Sequence, residues 1–168
     1  MYYVCMITVA LIIASDTRSK GINKDETIPI VSDFLKKQGW KLVDACILPD
    51  DFDKLKQKMI YYADELKVDL ILTSGGTGFS KRDVTPEATR AVIEKEVPGF
   101  GEIMRMEGFR ITPNSILSRE TAGIRNNTLI INLPGNPKGV IESLDIIKTA
   151  IPHGIEIIQG RRIKWKNN

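Results

Sequence analysis

The chain has 168 residues, 42% hydrophobic and 27% charged, the composition of one ordinary globular domain of about 100–200 residues rather than of a fibrous or disordered chain. Twenty-four Lys and Arg against 21 Asp and Glu leave a formal charge of +3; the signs are interleaved, which excludes a nucleic-acid footprint, and the basic end 161–168 reads as a solvated tail rather than a phosphate patch. Cys5 and Cys46 have no C-x-x-C spacing and the single His153 stands in no metal-ligand pattern, which excludes a thiolate or imidazole zinc site.

The first apolar run, residues 2–14, is shorter than the ~20 residues of a membrane span, and no Lys or Arg precedes it as in a signal peptide. It reads as a buried strand. Free thiols without a targeting segment fit a reducing cytoplasm, with no membrane partner. Residues 4–14 are rich in Val and Ile, as expected for a strand buried on both faces, and run into the polar loop Ser15-Asp16-Thr17-Arg18. Ile30, Val31, Phe34 and Leu35 recur at helical spacing, and the pattern stops at Gly39. Residues 41–48 form a second strand. Pro49-Asp50-Asp51 opens a helix whose apolar stripe is Phe52, Leu55, Met59, Ala63 and Leu66.

A third short strand, 68–73, ends in the loop Ser74-Gly75-Gly76-Thr77-Gly78. Thr85-Pro86-Glu87 combines a capping hydroxyl with Pro at the first helical position and starts a helix that runs to about Lys95. Residues 98–125 are poorly patterned. Residues 128–133 return as a strand, Pro134-Gly135-Asn136-Pro137 breaks it, and Val140, Ile141, Leu144, Ile147 and Ile151 mark one closing helix. Strands alternating with helices predict a single α/β domain over 1–168, a three-layer sandwich with a mostly parallel sheet and helices on both faces. Ligands bind such sheets beyond the carboxyl ends of the strands.

Three strand ends therefore carry the chemistry: Ser15-Asp16, Ser74 to Gly78, and Pro134-Gly135-Asn136-Pro137. Gly75, Gly76 and Gly78 remove side chains that would keep a ligand off the backbone, so exposed N–H groups can form an anion nest with the Ser74 and Thr77 hydroxyls. The loop is neither a Walker motif nor a dinucleotide fingerprint. Asp50 and Asp83 follow strands and suit the one or two carboxylates that hold Mg²⁺ in nucleotidyl transfer. Each has a structural alternative: Asp50 as the N-cap of the helix that follows, Asp83 in an Asx turn. Glu102 and Arg105, three residues apart, fit a surface ion pair or, for Glu102, a carboxylate that reads a pterin edge. Ser118-Arg119 carries no spacing signal of its own.

Taken together, Thr73-Ser74-Gly75-Gly76-Thr77-Gly78 followed by Arg82-Asp83-Val84-Thr85-Pro86-Glu87-Ala88-Thr89 resembles the signature of the molybdopterin-binding family. The likeness continues through Pro98-Gly99-Phe100-Gly101-Glu102, Leu117-Ser118-Arg119 and Asn132-Leu133-Pro134-Gly135-Asn136-Pro137-Lys138, in the family's order and over nearly the whole chain. Within the family the chain is similar to the stand-alone molybdopterin adenylyltransferases. Their essential carboxylates map onto Asp50 and Asp83, and Arg-Asp-Val-Thr-Pro sides with the enzymes against a related subgroup that carries Gly-Asp.

The resemblance implies a cytoplasmic homotrimer using ATP, Mg²⁺ and molybdopterin, with hand-over to a downstream metal-insertion enzyme. It implies a molybdopterin site of Thr73, Ser74, Gly75, Gly76, Thr77, Gly78, Glu102, Ser118, Arg119, Pro134 and Gly135. Ser15, Asp16 and Asp25 fall to the nucleotide, and Mg²⁺ to Asp50 and Asp83. One departure is Ile28 in Asp25-Glu26-Thr27-Ile28-Pro29, where the family commonly has Gly. A non-catalytic molybdopterin carrier and a nucleotide pyrophosphatase on the same fold are the rival readings.

Overall fold

The computed structural model describes residues 6–160; Cys5 and the basic tail lie outside the described residues. β1 (Thr8–Ala14) is the spine. Val9, Leu11 and Ile13 enter one apolar core and Ala10, Ile12 and Ala14 the other, the alternation of a strand covered on both sides. Each fully buried Val, Leu or Ile contributes roughly 1.5–3 kcal/mol, and a one-residue slip would exchange the two sets, so register is tightly specified.

After β1, a short helix α1 (Asp16–Ser19) and α2 (Thr27–Lys37) lead to β2 (Lys41–Leu48). α3 (Phe52–Ile60) follows and continues as a π-helical turn, Tyr61–Glu65. Next come β3 (Leu70–Ser74), α4 (Thr85–Arg90), β4 (Lys95–Glu96), α5 (Gly99–Phe109), a 3-10 turn (Pro113–Leu117), β5 (Ala122–Arg125) and β6 (Thr128–Leu133). α6 (Pro137–Ile147) and α7 (Ala150–Ile158) close the described chain.

The six strands form one sheet in the order β2-β1-β3-β6-β5-β4. β2, β1, β3 and β6 are parallel; β5 and β4 are antiparallel. Val31 and Leu35 of α2, Met104 of α5, Val140 and Leu144 of α6 and Ile151 of α7 cover one face. Leu55 and Met59 of α3, Tyr62 of the π-helical turn and Ala88 of α4 cover the other. This is the expected three-layer α/β architecture with a mostly parallel sheet. Among the described residues no helix is long and apolar enough to cross a membrane.

Three local expectations are corrected. The helix from Thr85 ends at Arg90 instead of near Lys95, because Glu94 N–H donates to Ile124 C=O at 2.8 Å and Lys95–Glu96 join the β5 ladder; strand pairing outweighs local helix propensity. Thr85 does not cap that helix: it is its first residue, and its hydroxyl makes no side-chain cap bond. The single closing helix is two. Pro152 has no N–H to bond the Lys148 carbonyl, so it is tolerated only in a first turn, and α7 restarts at Ala150.

Between β1 and β3 the strand order reverses, since the chain leaves β1 for β2 on one side and returns to β3 on the other. In sheets of this kind ligands bind at such a reversal, in the crevice beyond the carboxyl ends of the two strands. β6 lies beside β3, so its loop joins the same rim.

Candidate active site

The three loops meet by direct contact. A Cβ on Gly75 would lie 2.3 Å from the Ala14 carbonyl oxygen, at the end of β1, and one on Gly135 would lie 3.2 Å from the Gly75 Cα. Gly75 N–H donates to Leu133 C=O at 3.2 Å, and the Ser74 hydroxyl donates to Pro134 C=O at 2.8 Å. Gly75 and Gly76 hold φ of +99° and +63°, a region costly to other L-residues. The N–H groups of Gly76, Thr77 and Gly78 enter no backbone hydrogen bond among the described residues, which leaves donors for an anion. The bare faces of the glycines, however, abut protein. Close packing of the loops, more than ligand access, is what excludes side chains here.

Asp50 is not the cap of α3. Asp51 is, accepting from Lys54 N–H at 3.0 Å. Asp50 instead exchanges hydrogen bonds with Asp16: Asp16 N–H donates to Asp50 Oδ2 at 3.0 Å, and Asp50 N–H to Asp16 Oδ1 at 3.1 Å. Its other oxygen, Oδ1, is buried without a partner, as is the Thr85 hydroxyl. Both flank Gly76, whose missing Cβ would stand 2.8 Å from Asp50 Oδ1 and 2.4 Å from Thr85 Oγ1. Burial pushes the Asp50 carboxyl above its ordinary range, and the charges of Asp16 and Asp83 push the same way.

Asp83 does close a turn, its Oδ2 accepting from Ser80 N–H at 2.8 Å. The same oxygen lies 3.0 Å from where a Cβ on Gly78 would be. Arg82, the residue before it, reaches across the crevice with two 2.9 Å bonds to Asp16. That guanidinium holds the Asp16 carboxyl below its ordinary value. Asp16 thus spends its side chain on Arg82 and Asp50.

A buried carboxylate oxygen without a donor, beside a second carboxylate, fits a hard cation that takes one or two protein oxygens and completes its shell from water and phosphate. The fit is limited to that kind of site. Among the described residues no group of three or more His, Cys, Asp or Glu forms a cage.

On the far side of Gly78 lies a cavity of about 560 Å³, walled by Met104, Ile146 and Leu117 and edged by Ser118, Glu120 and Pro134. The Ser118 and Thr77 hydroxyls are 3.1 Å apart. Glu120 was not anticipated. It is 6% exposed, and burial raises its carboxyl above the ordinary range although Ser118 and Arg105 pull it down. Arg105 NH1 donates to the Glu120 carbonyl at 2.8 Å, so Arg105 turns to Glu120 and not to Glu102. Glu102 is exposed on α5 and does not line the cavity. The signal available was an acid directly after Leu-Ser-Arg, at the head of a strand.

Other predicted residues hold the framework. Thr73 accepts from Asn132 Nδ2 at 2.9 Å within a buried network that includes Thr89. Ser15 caps α1. Asp25 Oδ2 accepts from Ile28 N–H at 2.8 Å, and Arg18 lies 3.6 Å from its other oxygen. Arg18, also unanticipated, donates to Gly135 C=O at 3.3 Å and so ties the Asp25 side of the crevice to the last loop. The Ile28 side chain packs onto the core, so it does not fill the crevice.

The comparisons agree with this geometry. Residues 10–153 match the family described as "Probable molybdopterin binding domain". The chain is 42% identical over 156 residues to a molybdopterin adenylyltransferase of Helicobacter pylori, covering 92% of this chain and 89% of that protein. It is 39% identical over 169 residues to one from Escherichia coli, covering 92% and 86%. A solved structure, the molybdopterin biosynthesis enzyme MoaB from Thermus thermophilus, superposes with a TM-score of 0.88 at 40% identity, over 95% of this chain and all of that one. On these matches this chain belongs to the molybdopterin-binding domain family.

Proposed function

We propose that this chain transfers the AMP group of ATP to molybdopterin during molybdenum cofactor biosynthesis in the cytoplasm. The observation that carries the reading is the buried, unpartnered Oδ1 of Asp50, which lies against Gly76 as Asp83 Oδ2 lies against Gly78, the glycine that lines the cavity. A carrier would have no use for a buried carboxylate oxygen without a donor, which costs stability. The names of the Helicobacter pylori and Escherichia coli relatives support the same activity.

The cavity takes the pterin, with Glu120 facing its amino-pyrimidinone edge and Ser118 its polar rim. The free N–H groups of Gly76, Thr77 and Gly78 hold the pterin phosphate. ATP lies along the Ser15, Asp16 and Asp25 side. A phosphate oxygen of molybdopterin attacks the α-phosphorus, the new P–O bond forms, and the bond to the β-phosphate breaks with loss of pyrophosphate. Bound Mg²⁺ supplies positive charge against the α-phosphate and leaving group, and Asp50 and Asp83 are the residues that would hold it. Positioning does the rest, since a held phosphate gains up to ~10⁵–10⁸ M over free solution. ATP labelled in the α-phosphate should therefore leave its label on the pterin. Label recovered only as free AMP would identify a pyrophosphatase, and label left in ATP despite tight pterin binding a carrier.

The proposal includes a homotrimer. Met106, Phe109, Ile111, Ile116 and Leu117 are each about half exposed along α5 and the 3-10 turn, an apolar patch of the kind that subunit contact buries. Light scattering at micromolar concentration should give three times the chain mass; the mass of one chain would refute it.

A further inference from the structure

We propose that Arg119 is a positioning residue for Asp83, acting on transfer through that carboxylate and not by touching the pterin. The proposal rests on the reading of Asp83 given above. Ser118 continues the chain in an extended conformation beyond the 3-10 turn, with φ of −78° and ψ of 135°. Ser118 and Glu120 face the cavity. Arg119 between them points into the loop that carries Asp83.

Its guanidinium takes hold of that loop at both ends. Nε donates to Gly78 C=O at 2.7 Å, NH2 to Asp83 C=O at 2.8 Å, and NH1 pairs with the Glu87 carboxylate in the first turn of α4. Its backbone N–H adds a bond to Thr77 C=O at 2.9 Å. Because the donors of a guanidinium are fixed in one plane, they fix the spacing of Gly78 from Asp83. Asp83 Oδ2 rests against the bare face of Gly78, so that spacing also sets the carboxylate. Burial opposes ionisation of Glu87, yet the Arg119 bond holds its carboxyl below the ordinary range, which keeps the third anchor charged.

Lysine keeps the charge but has no planar fork to span two carbonyls. In Arg119→Lys we expect Mn²⁺ affinity, measured by electron paramagnetic resonance with a non-hydrolysable ATP analogue, to weaken ~10–100-fold, as when a group orienting a metal ligand is lost. Turnover should fall by a similar factor at unchanged KM for molybdopterin, with the pterin Kd held. In an Asp83→Asn background the same change should add no further loss, because both act on one group. A raised pterin Kd with unchanged Mn²⁺ affinity, or additive losses, would overturn the proposal. Amide hydrogen exchange over residues 78–84 gives a readout independent of activity: it should quicken in Arg119→Lys while circular dichroism stays native, and unchanged exchange would also overturn it. A wild-type protein that neither binds Mn²⁺ nor transfers AMP would instead count against the reading of Asp83 as a metal carboxylate.

Discussion

Asp50→Asn should abolish measurable transfer of AMP while leaving the protein at least as stable as the wild type. The loss follows from charge: stabilisation of a transferring phosphoryl group by a held cation amounts to several kcal/mol, so its removal should cost roughly 10²–10⁴-fold in kcat. The gain follows from burial. Asn retains an oxygen for the Asp16 N–H and removes a negative charge that burial, above all, and the charges of Asp16 and Asp83 oppose. For an acid whose folded pKa is raised, the stabilising contribution is full below the unfolded value, here the ordinary 3.8, and is lost as pH rises through the folded pKa. The wild type should therefore lose stability as pH rises through that window, and Asp50→Asn should flatten this loss. Thermal melts at several pH values check it. A variant that melted lower than the wild type and kept its rate would make Asp50 a structural group.

Gly76→Ala should be nearly as damaging to the reaction, and unlike Asp50→Asn it should damage the fold. At φ of +63° the added Cβ strains the backbone, and it meets Thr85 Oγ1 at 2.4 Å and Asp50 Oδ1 at 2.8 Å. Neither is the tip of a flexible side chain: Thr85 is fully buried and Asp50 is tied to Asp16. We expect about 2–3 kcal/mol of destabilisation in urea, from the left-handed strain together with the clash. AMP transfer should fall at least ~10²-fold as Asp50 is displaced. Pterin affinity should change far less, because the face of Gly76 that the methyl fills looks toward Asp50 and Thr85. A variant with native stability and a selective loss of pterin binding would show that this face meets ligand instead.

Much of the fold is legible from local pattern. The unbroken apolar run of β1 marks a strand buried on both faces, and residues 41–48 and 128–133 coincide with β2 and β6. What failed did so through long-range contact. Nothing near Lys95 announces that Glu94 will pair with Ile124, thirty residues on. The site divides in the same way. Its loops are visible as Gly-rich strand ends, yet pattern cannot tell Asp50 from Asp51 as the cap, since either acid precedes a helix; only the bond from Lys54 decides. Glu102 and Glu120 show the same limit. Both are acids beside family-like motifs, and burial, set by where α5 and β5 pack, separates the exposed one from the one in the cavity.

That Asp50 and Asp83 form one site with the cavity beyond Gly78 is open to direct observation in crystals grown with molybdopterin, a non-hydrolysable ATP analogue and Mn²⁺. An anomalous Mn²⁺ peak is expected on Asp50 Oδ1, with Asp83 bound to it directly or through water. The pterin ring is expected between Met104 and Ile146 against Glu120, its phosphate at the Gly76 to Gly78 amides. A peak away from both aspartates, or a pterin bound outside the Ser118 cavity, would contradict it.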